Sequence, residues 1–234
     1  MSAPTTTRAT TTRAATTGPV VAPSVLPSVE VRSVTLHDPL VRPLLDELAH
    51  EYATRYRSIL DADELRAEME HYPAADFAAP DGELVLLLAD GEPVAGGAFR
   101  RRAEPELGDP ARRTRPEAGP HARTDAHSGA VHSGAVHSDD GTPLVATAEL
   151  KRIWTHSAHR RRGLARQVLV ELEDRAAQRG YVRIYLTTGP RQPEAAGLYL
   201  RAGYTPLFDV SRDPEEIGPL AFEKWLCPRV SDPA

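Results

Sequence analysis

The chain has 234 residues, enough for one large or two small domains, but 41% hydrophobic residues with 21 prolines leave part of that length outside any core. A formal net charge of -5 gives no long-range attraction for nucleic acid or an anionic membrane, so neither is an expected partner. A single cysteine, Cys227, excludes an intramolecular disulfide framework and a multi-cysteine metal site, and a reducing cytoplasm is the expected setting.

From Met1 to about Ser28 the chain is Thr, Ala and Pro with few large apolar side chains, so ordering it costs entropy without burial. This stretch is read as a disordered tail, and it lacks the apolar run of a secretory signal. No window approaches about 18 uninterrupted apolar residues, so no membrane span is expected. Val29, Val31, Val34 and Leu36 begin a strand pattern, and Asp38-Pro39 starts a helix that should run to Tyr56. Leu44, Leu45, Leu48, Ala49, Tyr52 and Tyr56 recur at three- and four-residue spacing, which places them on one face. A second short helix is expected around Ala62 to His71, ended by Pro73.

Glu83 to Ala89 reads as a buried strand, and Asp90-Gly91 turns the chain into the next one, Pro93 to Phe99. Between about 103 and 142 the pattern collapses into charge, Pro and Gly around a five-residue repeat, His127 to Val131 and again His132 to Val136, followed by His137-Ser138. This is expected to be an inserted loop. A period of five fits neither a helix face nor a strand face, and no metal is expected there. Order resumes with a strand over Leu144 to Thr155, a helix over Gly163 to Arg179 capped by Gly180, and a strand over Tyr181 to Thr187. Pro193 to Arg201 is helical, and Leu220 to Leu226 closes the sheet. The predicted fold class is α/β: one domain over Val29 to Leu226, a mixed and mostly antiparallel sheet flanked by helices, with a short tail at 227–234.

Chemistry concentrates at Arg160-Arg161-Arg162-Gly163-Leu164-Ala165, between a strand and a helix. The first turn of a helix presents unpaired N–H groups and a partly positive dipole end, to which phosphate oxygens are complementary. Gly163 and Ala165 keep β-carbons out of the way, while Arg160, Arg161, Arg162 and Arg166 add charge. Taken alone, the arginine run would more often be a solvated or nucleic-acid-binding turn.

The stretch from Glu149 to Tyr204 resembles the GNAT superfamily of N-acetyltransferases. Arg160 to Ala165 matches the family's Gln/Arg-x-x-Gly-x-Gly/Ala motif, and Leu198-Tyr199-Leu200-Arg201-Ala202-Gly203-Tyr204 matches its Leu-Tyr-x-x-x-Gly-Tyr/Phe signature. The resemblance implies that Arg160, Arg161, Arg162, Gly163, Leu164 and Ala165 bind the diphosphate of acetyl-CoA, the expected co-substrate. It also implies a strand that splays at Ile153-Trp154-Thr155, where backbone groups hold the pantetheine arm and polarise the thioester. Tyr199 is then the acid that protonates the departing sulfur. Glu149 is the candidate base, with a glutamate salt-bridged to Lys151 or Arg152 as the equal alternative, and His156 is a weaker candidate. Gln192 stands where many members place an asparagine that contacts the cofactor.

The implied reaction is N-acetylation of a primary amine, with a small-molecule acceptor expected and a monomer or homodimer as the expected state. Alternatives are a non-catalytic acyl-CoA sensor and a protein acetyltransferase acting on lysine or an N-terminus. Thr187-Thr188-Gly189-Pro190 is a candidate acceptor lining. Glu47, Glu51, Arg55 and Arg57 on one side, with Asp209, Arg212, Asp213, Glu215 and Glu216 on the other, are expected to form a mixed-charge rim.

Overall fold

A computed structural model describes residues 29–58, 72–102 and 145–226. The expected tails, the second helix at Ala62 to His71 and the histidine-rich insertion lie outside these residues. Strand β1 is Glu30–Val34, and a 3-10 turn at Pro39–Val41 leads into α1, Arg42–Tyr56. Asp38 caps that turn through its carboxylate, which accepts from the Leu40 N–H at 2.9 Å. Strands β2 (Glu83–Ala89), β3 (Glu92–Arg101) and β4 (Thr147–Thr155) follow. Helix α2 (Leu164–Gln178), β5 (Arg183–Thr188), α3 (Pro193–Arg201) and β6 (Thr205–Pro206) come next. A short α4 (Pro214–Ile217), not anticipated from sequence, precedes β7 (Leu220–Trp225).

The seven strands form one sheet in the order β1-β2-β3-β4-β5-β7-β6, antiparallel except for β4 beside β5. Asp90 and Gly91 both take positive φ, 54° and 84°, as the two-residue turn between β2 and β3 requires. β2 is apolar throughout because both of its faces are covered. Leu84, Leu86 and Leu88 join Leu44, Leu48, Phe77 and Trp154 under α1, while Val85 and Leu87 join Val168, Leu169 and Leu172 under α2. A side chain at Gly97 would stand 2.7 Å from Ile153 and 3.0 Å from Val168, so the bare backbone is what allows α2 to lie this close to β3.

Helices α2 and α3 end alike. Gly180 and Gly203 take φ of 86° and 84°. The next N–H, from Tyr181 or Tyr204, donates back to Ala176 or Tyr199 across the last turn, at 3.1 and 3.0 Å. This is the Schellman cap, and it gives the Tyr-x-x-x-Gly-Tyr signature a structural cause: Tyr204 folds back until its ring meets that of Tyr199 at 5.7 Å, edge to face. Among the described residues no helix is long and apolar enough to cross a membrane.

Candidate functional site

Parallel pairing of β4 with β5 covers Thr147 to Glu149 and Arg183 to Tyr185, and goes no further. Beyond Glu149 the two strands diverge: Leu186 to Thr188 stay with β7, and Ala95 and Gly96 of β3 hold Thr155 and Trp154. The divergence opens a cavity of about 510 Å³ between β4, the start of α2 and the face of α3. Ile153, Trp154, Thr155, Arg160, Arg161, Gly163, Leu164, Ala165, Gln192 and Tyr199 all line it. Arg162 does not; it turns to a separate hollow with His159, Leu164 and Gln167.

At the start of α2, Gly163 sits in the left-handed region at φ 81°, with Arg161 also left-handed at 63°. A β-carbon on Gly163 would meet nothing within 4 Å, so the space above it is open, and φ is what requires glycine. The helical ladder begins with Gln167 N–H to Gly163 O at 3.1 Å, and no side chain caps the turn. The N–H groups of Leu164, Ala165 and Arg166 therefore lack intrahelical acceptors beside Arg160, Arg161 and Arg166 on the cavity wall. Open backbone, unpaired donors and guanidinium groups together fit a diphosphate.

A second, smaller chamber of about 110 Å³ shares Leu48, Ile153, Gln192, Ala195 and Tyr199 with the first. Thr187 and Thr188 line it, together with Tyr52, Tyr72, Leu150, Lys151 and Arg152. Tyr199 stands in the common wall, 6% exposed, and burial pushes its hydroxyl pKa well above the tyrosine range. Gln192 Oε1 accepts from Thr188 Oγ1 at 2.9 Å and from Gly189 N–H at 3.0 Å. Its oxygen thus closes the β5–α3 turn, leaving the amide nitrogen for other contacts.

Glu149 lines neither space. Its side chain is 2% exposed beneath three cations, Arg100 at 2.7 Å and Arg102 and Lys151 at 3.0 Å each. Lys151, not Arg152, is the neighbour that pairs with it. His156 also lies off both linings: its Nδ1 accepts from Ala158 N–H at 3.2 Å and its Nε2 is 3.7 Å from Glu47. Burial raises the Glu47 pKa, but hydrogen bonds from Trp154 Nε1 (2.9 Å) and Ser157 outweigh it and hold the carboxyl below its ordinary value.

The expected rim charges are largely consumed in pairs. Glu51 meets Arg160 at 3.1 Å and Arg55 at 2.8 Å; Arg55 also bonds Glu194; Glu215 meets Arg191 at 2.9 Å; Asp213 caps α4. Sequence reading missed Leu48 as a shared wall, Ala195 and Leu198 on the lining face of α3, and Tyr52, Tyr72 and Arg152 in the chamber. The helical spacing of Ala195, Leu198 and Tyr199 was a usable signal. Nothing local marks Tyr72 or Arg152.

A sheet splayed beside a helix N-terminus, with an anion cradle opening onto a tyrosine, defines an acyltransferase of the α/β class. The profile of the acetyltransferase (GNAT) family matches residues 45–204, more than half of the chain, and the chain belongs to that family. Two solved structures share the fold. The PaiA N-acetyltransferase of Thermoplasma acidophilum, solved in complex with coenzyme A, is 13% identical with a TM-score of 0.52, over 85% of this chain and 99% of that one. An acetyltransferase of Streptococcus agalactiae is 14% identical with a TM-score of 0.50, over 85% and 98%. No curated protein matches the chain.

Proposed function

We propose that the protein transfers an acetyl group from acetyl-CoA directly to the primary amine of a small molecule, in a ternary complex. The observation that carries this reading is the common wall: Tyr199 borders both the cavity beside the α2 N-terminus and the chamber across the splay. The diphosphate belongs at the amides of Leu164 to Arg166 with Arg160 and Arg161, and the pantetheine arm along the edge of β4 that β5 leaves unpaired. The amine enters from the chamber. Its nitrogen forms the new bond to the acetyl carbon, the carbon–sulfur bond breaks, and Tyr199 gives its proton to the departing thiolate. Protonated by burial, Tyr199 suits that acid role.

The amine proton leaves to water or, through water, to a carboxylate. Glu149 reaches it only by such a relay, because three cations already occupy its oxygens. A chamber of about 110 Å³, well below the roughly 300–1000 Å³ of drug-sized sites, supports a small acceptor over a protein one.

Calorimetric titration with coenzyme A tests the first half of this reading, and a thiol-release screen with amines tests the second. Gly163→Val, strained at positive φ and bulky in the cradle, should weaken coenzyme A about tenfold or more, with its unfolding temperature recorded beside it. A wild-type chain that ignores coenzyme A would end the proposal.

A further inference from the structure

Helical residues four apart stand one above the other, and on α1 Glu47 and Glu51 do so. Both reach the segment that joins β4 to α2, but they hold different groups. Glu51 takes Arg160 at 3.1 Å, and both residues line the cavity. Glu47 lines neither the cavity nor the chamber, although the sequence placed it on their rim. Its Oε2 accepts from the Trp154 indole N–H at 2.9 Å and from the Ser157 N–H at 3.1 Å, while its Oε1 accepts from the Ser157 hydroxyl at 2.9 Å.

These donors bracket the end of β4. Along one edge β3 holds that end through Trp154 and Thr155 and through the His156 N–H, which donates to Val94 O at 2.9 Å. The other edge, past Glu149, is the one β5 leaves, and among the described residues no strand pairs with it there. Glu47 adds a hold from the face of the sheet. The Trp154 residue is 3% exposed and packs with Leu44 and Leu48 under α1, and the one polar atom of its side chain ends on this carboxylate. Ser157 opens the 3-10 turn Ser157–His159 that runs on to Arg160 and Gly163, and Glu47 accepts the N–H that the start of such a turn leaves without an internal partner. One carboxylate thus grips both the strand along which the pantetheine arm belongs and the turn that carries the diphosphate cradle.

We infer that Glu47 is a positioning residue for the cofactor: through Trp154 and Ser157 it keeps the free edge of β4 and the turn before α2 at the spacing that coenzyme A spans, without touching the ligand. The inference rests on the reading of this cavity as the coenzyme A site and adds a residue to it. The sign of the effect separates positioning from simple electrostatics. A carboxylate beside an anion site repels the anion, so removing its charge alone should tighten coenzyme A; losing its grip should weaken it. Glu47→Gln discards the charge and keeps the reach, since its carbonyl can accept from the indole and the Ser157 N–H while its amide nitrogen donates to the Ser157 hydroxyl. Glu47→Asp keeps the charge and draws back by one methylene.

Calorimetry with coenzyme A tests this, with KM for acetyl-CoA and kcat read by thiol release and the unfolding temperature recorded for every variant. Glu47→Asp and Glu47→Ala should raise Kd and KM about fivefold or more with kcat within about twofold, and Glu47→Gln should bind as the parent does or more tightly. Trp154→Phe keeps a ring and loses the N–H; it should weaken coenzyme A in the parent and add little in Glu47→Ala, because its partner is already gone. If Glu47→Ala fails to fold, Glu47→Asp against Glu47→Gln decides the matter. Undiminished binding in Glu47→Asp, a Glu47→Gln chain as weak as Glu47→Asp, or a Trp154→Phe loss of equal size in both backgrounds overturns the inference and leaves the coenzyme A site standing. A parent chain that ignores coenzyme A overturns both.

Discussion

Arg160 Nη2 lies 3.1 Å from Glu51 Oε2, so the first arginine of the turn before α2, the proposed diphosphate site, is tied across the cavity mouth to α1. Glu51 holds Arg55 as well, and Arg55 holds Glu194, which makes a chain of alternating charges from the turn before α2 to α3. An incoming diphosphate competes with Glu51 for the same guanidinium. Glu51→Gln should therefore tighten coenzyme A binding by about two- to fivefold, the scale of a half-exposed ion pair. Calorimetry at low salt reads this directly, and a weaker complex would show that Glu51 positions Arg160 instead of restraining it.

Tyr199→Phe removes a hydroxyl that bonds to no described residue and keeps a ring packed on Tyr204 at 5.7 Å and Phe222 at 5.6 Å. Stability should hold. Turnover should fall about a hundredfold, with KM for acetyl-CoA nearly unchanged. Because burial pushes the hydroxyl pKa up, Tyr199 stays protonated past the ordinary value of about 10, so no alkaline fall in rate should trace to it below that pH. A downturn near pH 9 that disappears in the Phe variant would contradict this.

Glu149→Gln strips the carboxylate from beneath Arg100, Arg102 and Lys151 and leaves buried cations facing one another. Such a loss costs about 3–5 kcal/mol in denaturant unfolding. A variant that keeps its stability but loses turnover at neutral pH, with a residual rate that rises with hydroxide, would instead mark Glu149 as the base.

Glu83 ties β1 to α2: it accepts from Ser33 Oγ at 2.5 Å and pairs with Arg175 and Arg179. Burial raises its pKa, but the Ser33 and Arg179 bonds outweigh that and lower it overall. A depressed carboxyl contributes stability that is complete above the ordinary glutamate value, about 4.3, and is lost as pH falls through the lower folded value. Glu83→Gln should be less stable than the parent at pH 7, and the gap should shrink as pH falls below the ordinary glutamate value; a gap that persists in acid would assign the loss to packing.

Much of this protein is local physics that a sequence records. Periodicity placed α1, α2 and α3 to within a few residues; Asp90-Gly91 declared its turn; Gly180 announced a left-handed cap; and Gly163 marked the start of α2. Each depends only on residues a few positions apart. The splay was legible solely through family resemblance, because where β4 leaves β5 is decided by β3 and β7 competing for the same strands.

Packing alone decided the rest. The β3–β4 register slip between Gly96 and Ala98 depends on Gly97 lying against Ile153 and Val168 from distant segments. Glu149 became a buried hub, and Glu51 a partner of Arg160, because long side chains take the nearest opposite charge in space, and sequence spacing does not encode that distance.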